Sequence, residues 1–264
     1  MIKILLMITV LFEFSYSSNN AEVRVCDRCH SHNDYLSKVP LFNALDHGFK
    51  SIEVDIVLDD NLLYVAHYWW SKKKNYFIEN TYLDSLYKLF KDNNGFIYND
   101  SNPLYLFIDI KSSANETYET LNKSLNNYRP MLSRMVNDSL IQGAVTIILS
   151  GNTPTIEYLR KSKERYVFLD GRLTDLGKNI SIKIMPLISI NWKKEFRWRG
   201  FNNIPAKEKL HLLTLIEKVH REEKKIRFWG SPDNIKSWEL LYFSDVDLIN
   251  TDKVIELYNF IISQ

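Results

Sequence analysis

Along most of the chain, short apolar runs rich in β-branched residues alternate with stretches whose apolar positions recur at helical spacing. The runs predict strands over Val23 to Cys26, Ser51 to Val57, Leu104 to Ile110, Ala144 to Leu149, Tyr166 to Leu169, Ile184 to Ile188, Ile226 to Trp229 and Val246 to Ile249. The longer periodic stretches predict helices over Pro40 to His47, Tyr82 to Lys91, Thr117 to Met135, Thr155 to Lys161, Ala206 to Glu222, Ile235 to Tyr242 and Val254 to Ile262. Most strands are followed by a helix, which is the order of a parallel α/β fold. Closure into a TIM (β/α)8 barrel is the simplest solution at this length. Asn61 to His67 reads as an additional strand after the turn-forming Asp59, Asp60 and Asn61. No repeat, low-complexity segment or linker divides the chain, so residues 19–264 are expected to form one domain.

The first residues break this alternation. Lys3 precedes an apolar run from Ile4 to Phe12, and Ser15 and Ser17 follow it. That is the pattern of a signal peptide over residues 1–18, too short to span a bilayer, so secretion is expected. Glu13 leaves a short membrane anchor or an inward-packing strand as the competing reading. Five N-x-S/T sites, at Asn99, Asn115, Asn122, Asn137 and Asn179, suit an extracellular glycoprotein. No later segment reads as a transmembrane helix. The 264 residues are 45% hydrophobic and 13% aromatic, ample for one large core. A net charge of +2 predicts no strong field for nucleic acid or an anionic membrane, and Lys72, Lys73 and Lys74 read as a solvated loop. With only two cysteines, disulfides are not what holds this fold together.

The titratable residues change the picture most. Glu53 and Asp55 lie two apart in a strand and point to one face, while Ile52, Val54 and Ile56 take the other. Carboxylates facing a barrel interior are costly to bury without a cation, and hard oxygen ligands suit Mg²⁺ or Ca²⁺. An exposed edge strand of alternating polarity is the bland reading of the same pattern. In the next strand Asp109 and Lys111 repeat the spacing. Asp109 can complete a carboxylate trio, and Lys111 can contact a phosphate oxygen as a point charge. His30 and His32 follow the first strand and His67 ends the extra one. Imidazoles flanking a phosphate suit acid and base roles because they titrate near neutral pH. His47, His211 and His220 fall in helical contexts and read as surface or core residues.

Taken in order, these landmarks resemble the glycerophosphodiester phosphodiesterase / phosphatidylinositol phospholipase C-like superfamily of TIM barrels. Within it, the chain is most similar to the secreted bacterial and fungal branch that includes altered inheritance of mitochondria protein 6. The resemblance rests on HSHNDY (His30 to Tyr35), PLFNALDHGFKSIEVDI (Pro40 to Ile56), LYVAH (Leu63 to His67), LFIDIK (Leu106 to Lys111), LSGN (Leu149 to Asn152), DGRLTDL (Asp170 to Leu176), RFWGSPD (Arg227 to Asp233) and DLINTD (Asp247 to Asp252). It implies a PLC-like phosphodiesterase with a divalent cation on Glu53, Asp55 and Asp109. His30 and His67 would be the catalytic histidines, with His32 competing for the first place. Lys111 would be catalytic and bind substrate, and Asn33 and Trp229 would also contact it. The implied chemistry is in-line attack at phosphorus in a small-molecule or lipid phosphodiester, one histidine taking a proton and the other giving one. A monomer that binds no nucleic acid is expected. The chain departs from the family at Ser31, where the H-R-G motif carries arginine, and it lacks the P-E-N-T segment. Sphingomyelinase D-type enzymes look similar in the same elements.

Two rivals share these residues. Cys26, Asp27, Arg28, Cys29 and His30 spell C-x-x-C-H, the pattern of covalent haem attachment, against two ordinary strand-end cysteines, paired or free. A catalytically inactive barrel that binds a lipid headgroup or a partner protein is the other.

Overall fold

The computed structural model describes residues 23–264, so the expected signal peptide over 1–18 lies outside the described residues. Along the chain the elements are β1 (Cys26–Ser31), α1 (Phe42–Leu45), β2 (Phe49–Asp59), β3 (Leu62–Val65), α2 (Asp84–Asp92), β4 (Leu104–Ile110), α3 (Ala114–Leu125), β5 (Arg134–Val136), β6 (Ser139–Ile141), β7 (Val145–Gly151), α4 (Ile156–Leu159) and β8 (Glu164–Arg165). They continue with β9 (Val167–Gly171), β10 (Leu187–Asn191), α5 (Trp192–Glu195), α6 (Ala206–His220), β11 (Lys225–Trp229), α7 (Ile235–Phe243), β12 (Ile249–Thr251) and α8 (Val254–Ile262). Eight parallel strands run in the order β12, β1, β2, β4, β7, β9, β10, β11, and a parallel bridge between Arg227 and Leu248 brings the two ends together. This is the TIM barrel that the alternation predicts.

The extra strand is present as β3, antiparallel to β2 through a two-residue turn in which Asp60 and Asn61 take φ of 47° and 60°. Its effect is to return the chain from the far end of β2 to the level of Asp55, where His67 follows.

β1 corrects the sequence reading. It runs over Cys26–Ser31 rather than Val23 to Cys26, because the strand carries a bulge. Cys26 pairs with Phe49 but His30 pairs with Ser51, so four steps on β1 match two on β2. A Cys26–Cys29 disulfide, with Cα atoms 5.4 Å apart, closes this bulge. His30 therefore stands within the barrel wall instead of following the strand. The disulfide also ends the haem reading, since sulfurs bonded to each other are not available for thioether links.

The helix expected over Thr117 to Met135 is shorter. α3 stops at Leu125, a tight turn containing Pro130 follows, and β5 and β6 form a hairpin turning on Asn137 and Asp138 at φ of 45° and 64°.

Two apolar layers flank the sheet. Ile52, Val54, Ile56, Leu106 and Ile108 join Leu121, Leu125, Leu212 and Val219 of the helices in one buried cluster. A small cluster of Phe107, Ile148, Phe168, Leu187 and Leu248 plugs the barrel interior. Above that plug, toward the C-terminal ends of the strands, the interior turns polar.

Candidate active site

β2 is buried on both faces from Phe49 to Val57, as befits a central parallel strand. One of those faces is Ser51, Glu53 and Asp55, exposed by 0%, 4% and 0%. Asp55 pairs in register with Asp109 on β4. Glu53, Asp55 and Asp109 each offer an oxygen within 4.8 Å of the others.

The oxygens differ in what satisfies them. Asp55 Oδ2 accepts from Tyr35 Oη at 2.9 Å and from His67 Nδ1 at 2.5 Å. Asp55 Oδ1 and Asp109 Oδ1 are buried and have no hydrogen-bond donor among the described residues. Lys111 Nζ stands 3.0 Å from Asp109 Oδ2 and 3.5 Å from Asp55 Oδ1. Burial pushes the Asp109 pKa up; Lys111 opposes this, and the charges of Glu53 and Asp55 reinforce it. For Lys111, burial favours the neutral amine, but Asp109 and Asp55 outweigh it and hold the proton on. Gly151, at φ of 70°, lies beside this carboxylate. A Cβ there would come within 2.1 Å of Asp109 Oδ1 and 2.5 Å of Ile110 O, so only glycine leaves that oxygen its place. Buried carboxylate oxygens that accept no hydrogen bond, as these two do among the described residues, fit a hard divalent cation.

Glu53 is held differently. Arg227 of β11, itself buried, pairs with Glu53 Oε2 through Nη1 and reaches Asp170 Oδ2 through Nη2 at 3.4 Å. Burial would raise the Glu53 pKa, but the Arg227 charge and the His30 contact hold it well below the usual carboxylate range. Arg227 also donates from Nε to Ser189 Oγ at 2.8 Å and lies over the Phe107 ring.

The three histidines occupy three environments. His30 is fully buried, its Nδ1 2.7 Å from Ser51 Oγ and its Nε2 3.0 Å from Glu53 Oε2 and 2.6 Å from Arg227 Nη1. Burial and then the Arg227 charge lower its pKa to about 3, so it stays neutral. His32 lies at the mouth, its Nδ1 donating to Asp252 Oδ1 at 2.8 Å and its Nε2 3.9 Å from Glu53 Oε1. Burial works against its charge, yet the Asp252 hydrogen bond and the Glu53 charge raise its pKa overall. His67 is 42% exposed at the side chain, with Nδ1 held by Asp55. Asn33, at φ of 48°, places Nδ2 3.2 Å from His32 Nδ1. Trp229 stands half-exposed at the end of β11.

Sequence reading missed Arg227, Tyr35, Asp170 and Asp252. Arg227 carried a signal: a single arginine inside the apolar strand Ile226 to Trp229. Its partners on β2 and β9 are 174 and 57 residues away, which no local pattern reveals.

Fold and site together define a phosphodiesterase-type TIM barrel. The chain belongs to the AIM6-like phosphodiesterase domain family, whose model matches residues 20–170. Altered inheritance of mitochondria protein 6 of Kluyveromyces lactis is 30% identical over 90% of this chain and 73% of its own length. The Eremothecium gossypii protein of the same name is 28% identical over 88% of this chain and 68% of its own. Among solved structures, a glycerophosphodiester phosphodiesterase from Parabacteroides distasonis matches with a TM-score of 0.53 at 12% identity, covering 89% of this chain and 97% of its own. One from Agrobacterium tumefaciens gives 0.51 at 14%, covering 90% and 100%. At such identities these two speak for the fold alone.

Proposed function

We propose that this chain is a divalent-cation-dependent phosphodiesterase acting on a glycerophosphodiester or (lyso)phospholipid-type substrate at the barrel mouth. One observation carries the reading: two buried carboxylate oxygens without hydrogen-bond donors among the described residues, on Asp55 and Asp109, sit in a trio whose Asp55 also holds His67. Glu53, Asp55 and Asp109 would hold Mg²⁺ or Ca²⁺, one oxygen of Glu53 being taken by Arg227. A cation there supplies positive charge opposite a non-bridging phosphate oxygen.

His32 and His67 are the acid–base pair in this reading. Each has Nδ1 fixed by a carboxylate, Asp252 or Asp55, which leaves Nε2 turned to the substrate. One removes the proton of the attacking hydroxyl or water, and the other delivers a proton to the leaving oxygen. His30 is a positioning residue, neutral and sealed between Ser51, Glu53 and Arg227. Lys111 binds a phosphate oxygen, Asn33 contacts the substrate from beside His32, and Trp229 offers an apolar wall. Four carboxylates (Glu53, Asp55, Asp109 and Asp170) meet three permanent cations (Lys111, Arg172 and Arg227). Adding a divalent ion leaves one positive charge, which matches the single negative charge of a phosphodiester.

Secretion belongs to the same proposal, because a buried disulfide suits an oxidising compartment. A panel of phosphodiesters from glycerophosphocholine to lysophospholipids and phosphoinositides, assayed with Mg²⁺ or Ca²⁺ and with EDTA, tests the function. Cation-dependent release of one product is expected. Headgroup binding without turnover would point instead to an inactive binding barrel.

A further inference from the structure

The loop after His67 does not behave as an ordinary solvated turn. Tyr68, Trp69 and Trp70 are exposed by 50%, 61% and 76%, an arrangement that leaves large apolar rings in contact with water. The loop is nevertheless well held. Ser71 Oγ donates to Tyr68 O at 2.8 Å and accepts from Tyr68 N at 3.1 Å. The Tyr68 and Trp70 rings stack with centroids 4.7 Å apart and planes 4° from parallel, and Tyr68 meets the His67 ring edge-on at 4.3 Å. Trp69 Nε1 donates to Asp59 Oδ1 at 3.4 Å, and Lys72 pairs with the same carboxylate while covering the Trp69 ring.

These anchors fix where the rings stand. Asp59 lies four residues beyond Asp55 on β2, about 13 Å further along at ~3.3 Å per strand residue, so the loop runs from His67 beside the carboxylate trio out to that level. It therefore overhangs the mouth. At the same end of the barrel, Trp229 closes β11 with 39% of its surface exposed. Lys73 and Lys74 follow the tryptophans and are exposed. Lys73 lies over the Tyr76 ring, and no carboxylate among the described residues pairs with either lysine.

Tryptophan and tyrosine favour the boundary between water and acyl chains, where an apolar ring and a polar edge are both satisfied. Lysines beside them are drawn to anionic headgroups. The whole-chain charge of +2 hides this local concentration, since a nearby charge acts within a Debye length. We propose that the loop Tyr68 to Lys74 docks the barrel mouth onto an anionic lipid surface. It would thereby present a lipid phosphodiester to His67. Presentation of substrate rests on the phosphodiesterase reading; docking does not.

The stacked rings favour a surface over a small ligand. A cage for a single cationic headgroup needs an open gap between faces, and Tyr68 and Trp70 leave none between them.

Sedimentation of the full chain with vesicles tests docking without requiring turnover. Phosphatidylcholine vesicles with and without phosphatidylserine are compared at low and high salt. Binding to the anionic vesicles that weakens with salt is expected. The triple variant Trp70→Ser, Lys73→Glu and Lys74→Glu should bind on the order of tenfold less. Its thermal midpoint and its hydrolysis of a water-soluble phosphodiester should match the parent. Brominated lipid should quench the parent's tryptophan fluorescence, and less so in the variant. Undiminished vesicle binding by the folded variant would overturn the proposal, whether residues 1–22 or another face then carried it. A parallel fall in soluble-substrate turnover would also overturn it, because the loop would then be part of the pocket. If the parent binds vesicles yet hydrolyses nothing, the phosphodiesterase reading fails and the docking stands.

Discussion

Glu53 and Asp55 stand two residues apart on one face of β2 and live in opposite circumstances. Glu53 meets a buried arginine, and its pKa is driven far down by that charge. Asp55 has one oxygen shared by Tyr35 and His67, and another that is buried without a donor. The difference separates a charge the protein balances for itself from one it leaves for something else to balance. Burial is costly for both, and Arg227 meets that cost at Glu53. At Asp55 and Asp109 the nearest cation is Lys111, which bonds Asp109 Oδ2, stands 3.5 Å from Asp55 Oδ1, and leaves both Oδ1 atoms without a hydrogen-bond donor among the described residues. The same strand therefore carries a fixed half and a receptive half.

The receptive half should give the largest effect. His67→Ala with folding preserved is expected to lower turnover of a phosphodiester by about 10²–10⁴-fold. Wild-type-like turnover would sink the acid–base assignment. Asp109→Asn should abolish the rise in thermal midpoint that Mg²⁺ or Ca²⁺ gives the parent; by linkage that rise corresponds to ~2.7 kcal/mol at a hundredfold excess over Kd. An unchanged rise would place the cation elsewhere.

The fixed half should answer in stability instead. Arg227→Met strips the partner from buried Glu53 and Asp170 and is expected to cost about 3–5 kcal/mol in urea unfolding. Exchanging Glu53 for Gln in the same background should recover part of the loss, as uncharged pairs are cheaper to bury. A loss below about 1 kcal/mol for Arg227→Met would mean that solvent, not arginine, carries the balance. Tyr35→Phe tests the join between halves, since Tyr35 orients Asp55. It should lower cation affinity or turnover by about 10–100-fold, the usual scale for groups that orient a ligand, with little change in unfolding.

How much of this could be read from the sequence follows the same division. The receptive half was legible because each member is local: E-x-D, D-x-K and a histidine at a strand end all obey the strand's period of two. The eight-strand order was legible for the same reason. Glu53 is legible with them, but what balances it is not. Arg227, Asp170 and Glu53 meet only because strands distant in sequence face one interior, and the barrel must close before they are neighbours. His30 fell between the two. Its position four residues after the predicted strand end at Cys26 is a register statement, and the bulge closed by Cys26–Cys29 brings it into the wall. Pro130 and the paired Asn137 and Asp138 keep the chain beyond Leu125 from continuing as helix, a local signal that helical spacing masks.

A third buried carboxylate, Asp34, is balanced in yet another way. No cation among the described residues pairs with Asp34, yet three neutral donors reach it: Leu41 N at 2.6 Å, Tyr82 Oη at 2.8 Å and Ser31 Oγ at 3.1 Å. Burial raises its pKa above 3.8, and those hydrogen bonds restrain the rise without cancelling it. The folded chain then holds this proton to higher pH than the unfolded chain does. Its contribution to stability is present in full below pH 3.8 and declines as pH rises through the folded value. The contribution of Glu53, whose pKa is lowered, runs the other way and is lost on acidification. Urea unfolding from pH 3 upward, parent against Asp34→Asn, isolates the first term. The variant should be less stable throughout by about 1–3 kcal/mol, because one oxygen now faces donors that two served. The gap between the two chains should narrow as pH rises past the carboxylate range. A gap that widens instead would show that three neutral donors suffice to hold a buried carboxylate charged, and that Arg227 does more than Glu53 requires.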